Sequence, residues 1–136
     1  MAKRGIQRIE GIGPANAERL ANAEITHTEH LLDQCGTKAG RQRVAERTGL
    51  SESRLLEWTN MADLIRIWGV GSQYAELLEA SGVDTVRELA TRNAENLVAR
   101  MNEVNAEKKL SGQVPAVVAV EAWIAEAKKL PARITH

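Results

Sequence analysis

The stretch "IEGIGPANAERL", residues 9–20, is nearly rewritten as "IWGVGSQYAELL", residues 67–78. At an offset of 58 (67 − 9), Ile9, Gly11, Gly13, Ala17, Glu18 and Leu20 fall on Ile67, Gly69, Gly71, Ala75, Glu76 and Leu78. Ile25 then falls on Val83 and Leu31 on Leu89. Later the offset becomes 65 (120 − 55), which lays Leu55, Trp58 and Ala62 on Val120, Trp123 and Ala127. Such registers mark a duplicated unit of roughly 60 residues with a short insertion in the second copy.

Each copy holds a glycine pair around one apolar residue. The first glycine permits positive φ, and the second lets the chain pass close to a neighbour. Ile12 and Val70, between the glycines, are expected to point inward. A helix follows at once, so its first N–H groups lack internal acceptors and form a ready anion site.

The rest of the chain reads as helix at a period of 3.6, without strand alternation. Helices are expected over 14–23, 28–34 (capped by Thr26 or Thr28), 38–47, 52–66 (capped by Ser51) and 72–80 (capped by Ser72). Others run from Asp84 or Thr85 to Thr91, over 95–110, and from Pro115 to Leu130. The expected fold is all-α: two pseudo-symmetric units, 1–66 and 67–136, in one compact body. Aromatic residues make up only 3% and Phe is absent, so Leu, Ile, Val and Ala must fill the core.

The pattern apolar-x-Gly-apolar-Gly-x-x-x-Ala-x-x-Leu resembles the helix-hairpin-helix motif of proteins that bind DNA without reading its sequence. From "IEGIGP" to "VEAWIAEAKKLP" the chain is also similar to a bacterial family of paired helix-hairpin-helix proteins whose function is unknown. The stretch "DLIRIWGVGSQYAELLEASGVDTVRELATRN" carries that similarity most specifically. The resemblance implies phosphate contacts from the amides around Gly11, Ile12, Gly13 and Ala15, and around Gly69, Val70, Gly71 and Gln73. No cofactor is expected, although the resemblance allows a monovalent cation at a hairpin. Lys3, Arg4 and Arg8 before the first hairpin, with Lys38 and Arg41 further on, would supply positive charge. Two departures oppose this. The turn after each hairpin has no cation, and Glu18, Glu76 and Glu79 follow on the same helices.

Charge is also balanced, with 18 basic and 18 acidic residues, whereas proteins living on nucleic acid often carry a basic excess. The densest basic cluster, Lys38, Arg41, Arg43 and Arg47, reads as a backbone-contact stripe for nucleic acid, as a surface for an acidic protein partner, or as a solvated helix face. "RVAERTGLSESRLLEW", residues 43–58, has helix-turn-helix spacing, but Glu52, Ser53, Arg54 and Glu57 are poor base readers. We read "TGLS" instead as a degenerate third hairpin that pairs with "GIG" inside the first repeat, since "SGQVP" fills the same slot in the second. Trp58 and Trp123 occupy matching positions and are expected in the core. Trp68 falls on Glu10 and is expected outside, where it could meet a partner.

Chemistry finds little footing. Cys35 is alone, His27, His30 and His136 lack zinc-site company, and the glycine pairs lack the third Gly of a dinucleotide loop. No run suits a signal peptide or membrane span, so a cytoplasmic protein is expected, with no membrane partner and no small-molecule substrate. Two functions stay open: a non-enzymatic module touching nucleic-acid backbone, or a protein-interaction scaffold with purely structural hairpins.

Overall fold

The computed structural model describes residues 5–136. The fold is all-α, and among the described residues no strand forms beyond one isolated antiparallel bridge between Gly5 and His27. The chain divides into two compact units, residues 1–63 with 133–136, and residues 64–132. The last four residues therefore close the first unit, whereas the sequence had them ending the second.

In the first unit a short 3-10 turn, Ile6–Arg8, precedes α1 (Pro14–Asn22), α2 (Thr28–Cys35), α3 (Lys38–Thr48) and α4 (Glu52–Ile65), whose last turn holds the division between units. Burial follows the apolar spacing: Ile9, Leu20, Ile25, Leu31 and Leu55 are fully enclosed. Gly49, at φ +76°, stops α3 in the left-handed conformation that glycine adopts without strain. Leu50 is buried, and the Ser51 hydroxyl then accepts the Arg54 N–H at 3.2 Å to start α4. "TGLS" is thus a stop followed by a cap. Glu52, Ser53 and Glu57 are exposed, and Arg54 lies 5.5 Å over the Trp58 ring.

The second unit contains α5 (Ser72–Ala80), α6 (Val86–Leu89), α7 (Ala94–Lys108) and α8 (Val117–Ala127). Its core repeats the first: Ile67, Leu77, Leu78, Val83, Leu89 and Met101 are fully enclosed. The turns repeat as well. Ile25 N–H donates to Leu20 O and Val83 N–H donates to Leu78 O, both at 2.9 Å. Glu24 takes φ +64° where its counterpart Gly82 takes +95°. Even a side-chain clasp recurs, with Gln34 Nε2 donating to Glu24 O at 3.4 Å and Arg92 Nη2 donating to Gly82 O at 2.8 Å.

Several helix starts differ from expectation because packing chose the register. His27 is the N-cap of α2, and Thr28 is buried inside the helix instead of capping it. Gly71 precedes α5, which makes Ser72 the first helical residue. Thr37 and Asn93 cap α3 and α7 with their side chains, while α6 starts as expected, with Thr85 as its cap. Pro115 is buried on the approach, so α8 begins two residues later, at Val117. After Ala127 the chain tightens into three-residue turns, Lys129 N–H to Glu126 O and Leu130 N–H to Ala127 O, rather than continuing as α-helix to Leu130.

Candidate binding site at the glycine turns

Each turn is built by the same local bonds. Ile12 N–H donates to Ile9 O at 3.2 Å, and Val70 N–H donates to Ile67 O at 3.1 Å. Gly11 and Gly69 sit at φ +92° and +90°, a region that side chains strain to enter. Gly13 and Gly71 are extended and immediately precede their helices. A tryptophan from the far end of its own unit braces each turn. A Cβ on Gly11 would stand 3.8 Å from Trp58 Nε1, and one on Gly69 would stand 3.1 Å from Trp123 Nε1. Both indoles are buried, as matching repeat positions implied.

This geometry sorts the expected contact residues. Ile12 and Val70 drop out, since their side chains are buried and their amides are spent inside the turn. The amides of Gly11, Gly13 and Ala15, and of Gly69, Gly71 and Gln73, have no acceptor among the described residues. All six residues are exposed except Gly71, which is half-buried.

The second glycines correct one expectation. Gly13 and Gly71 are expected to let the chain pass close to a neighbour. Neither needs positive φ, and a Cβ at either would meet no atom within 4 Å. Nothing in the fold calls for glycine there.

Of the basic residues, Arg8 and Lys38 are exposed, while Lys3 and Arg4 lie outside the described residues. Arg41 must be withdrawn as a ligand contact. It is only 4% exposed, its Nη1 donates to Cys35 O and Gly36 O at 3.0 and 3.3 Å, and its Nη2 donates to Thr135 O at 2.8 Å. The guanidinium holds the C-terminal segment against the α2–α3 corner, helped by Thr135 N–H to Gly36 O and by Arg133 beside Asp33 and Glu29. No local signal could reveal this, because the Thr135 carbonyl is 94 residues away in sequence. The adjoining Cys35 thiol is pushed up to about 11 by burial, against the opposing pull of Arg41 and a Thr59 hydrogen bond. At neutral pH it stays a protonated, inert core group.

The second turn carries a feature that the sequence did not disclose. Trp68 N–H donates to Glu126 Oε1 at 3.0 Å, placing a carboxylate against the turn. At the 65-residue offset the first unit has buried Met61 in that position, so among the described residues no matching acid meets its turn. Trp68 itself is 82% exposed. It lines, with Tyr74, Pro115, Ala119 and Trp123, a groove of about 550 Å³.

Among the described residues no three His, Cys, Asp or Glu side chains gather in a way that could hold a metal, and no helix is long and apolar enough to cross a membrane. The fold and turns define an all-α protein of two similarly built units. The family described as "Domain of unknown function (DUF4332)" matches residues 10–130, and the chain belongs to it. No curated protein and no solved structure gives a significant match.

Proposed function

We propose that this chain is a non-enzymatic binding module of the helix-hairpin-helix kind, whose first hairpin grips nucleic-acid backbone without reading sequence. The observation carrying this is the second glycine of the pair. Gly13 has ordinary φ and open space for a Cβ, so the fold leaves its choice free, whereas a phosphate approaching the Gly11, Gly13 and Ala15 amides needs that space. Arg8 and Arg19 are exposed near those amides in sequence. Glu126 at the second hairpin offers its own carboxylate instead, which disfavours an external anion there. A monovalent cation between the first hairpin and the phosphate belongs to this reading.

One hairpin with two arginines contacts one or two phosphates, so binding is weak. The logarithm of affinity should fall with a slope of about −0.9 per phosphate against log salt. Fluorescence anisotropy with duplex DNA from ~50 to ~200 mM KCl measures this. Gly13→Ala should weaken binding while leaving the circular dichroism unchanged, and Arg8→Glu with Arg19→Glu should abolish it. Absence of binding at ~50 mM salt refutes the proposal.

A second reading rests on Trp68. An exposed indole bordering an apolar groove is how a protein partner is commonly anchored. It predicts that Trp68→Ala removes partner binding and leaves DNA affinity untouched.

A further inference from the structure

We propose that a cavity of about 210 Å³ in the second unit binds a phosphate-class oxyanion through Arg92, Arg100, Asn96 and the Ser81 hydroxyl. Ser81 is only 6% exposed, and its Oγ has no hydrogen-bond partner among the described residues. A buried hydroxyl left so is destabilising and calls for a partner that the chain itself does not supply. The matching position in the first unit is Ala23, so the hydroxyl is not needed to close the turn.

The same contrast applies to Arg92. Its clasp on the Gly82 carbonyl is made in the first unit by uncharged Gln34, so the clasp does not require a cation. Arg92 nonetheless brings a guanidinium, fixed by that bond, to the cavity wall. Arg100 brings a second from α7. Arg92 spends one N–H on Gly82 O and has Glu88 at ion-pair distance, 3.9 Å, while Arg100 Nη1 donates to Glu103 Oε2 at 3.1 Å, so each uses only part of the five N–H donors that a guanidinium offers. The remaining donors suit the planar, paired recognition of oxyanions. Thr91 spends its hydroxyl proton on Glu88 O and Asn93 caps the Asn96 N–H, leaving the Asn96 side-chain amide as a further donor. The space far exceeds the roughly 10–15 Å³ that one water needs.

Amide NMR spectra at low ionic strength test this with two probes, inorganic phosphate and phenyl phosphate. The proposal expects saturable shifts at Ser81, Arg92, Asn96 and Arg100. Phosphate alone binding assigns a free anion, and both binding assigns a phosphomonoester. Arg92→Gln with Arg100→Gln, which retains the Gln34-like clasp, should weaken binding at least about tenfold. Ser81→Ala, copying Ala23, should keep the fold and also weaken it. Arg8→Glu should leave the shifts at Ser81, Arg92, Asn96 and Arg100 as they are, which separates this site from the hairpin. No saturation by either probe, or undiminished binding in both cavity variants, overturns the proposal.

Discussion

The turn at Gly11 and the turn at Gly69 have the same backbone and different neighbours. Both pin an apolar residue inward, both place an unstrained glycine before a helix, and both rest on an indole nitrogen. Only the second has a carboxylate from α8 on its leading amide, and only the second has a tryptophan standing in solvent beside it. Local spacing therefore sets the shape of the turn, while residues far along the chain set what the turn is free to hold. Duplication kept the first and let the second diverge.

The largest test concerns the braces. Trp58→Ala and Trp123→Ala should each cost about 3–5 kcal/mol in urea unfolding, because both indoles are buried under their turns. Trp68→Ala should stay within about 0.5 kcal/mol. A comparable loss at Trp68 would break the assignment of the three indoles.

Next come the first glycines. Forcing a side chain into positive φ costs about 1–3 kcal/mol. Gly69→Ala should exceed Gly11→Ala, since its new Cβ presses on Trp123 Nε1 at 3.1 Å while the other clears Trp58 Nε1 at 3.8 Å. Equal or reversed losses would mean that the two turns are braced alike.

A smaller effect tests where the copies have drifted apart. Glu24 holds φ +64° at the place where Gly82 holds +95°. Glu24→Gly should raise stability by about 0.5–1 kcal/mol by relieving that strain, and Gly82→Ala should lower it. Thermal unfolding of the pair reads both signs.

Smallest in stability, and most informative for function, are Gly13→Ala and Gly71→Ala. Each should move unfolding by no more than about 0.5 kcal/mol, since neither Cβ meets an atom. Their effects on DNA binding should differ: Gly13→Ala weakens it, and Gly71→Ala does not. A large stability loss in either would show that the glycine serves the fold.

The all-α architecture was legible because apolar residues recur at helical spacing and because the repeat offsets of 58 and 65 align core with core. Glycines that need positive φ were legible for the same local reason. Helix starts were less so, as at Thr28 and Pro115, where burial overrode the residue's preference for a boundary. The site was legible only as backbone. Arg41, expected to supply positive charge at the surface, lies inside with three carbonyl acceptors, and nothing local marks Glu126 as the acid that reaches the second turn.

The sequence by itself determined a duplicated helical unit and a glycine turn at the head of each copy, because helix period and glycine φ are properties of neighbouring residues. The tertiary structure decided which arginines face outward, which turn carries an acid and which hydroxyl lacks a partner. Those depend on groups tens of residues apart, such as Arg41 with Thr135 and Trp68 with Glu126, whose meeting no local spacing encodes.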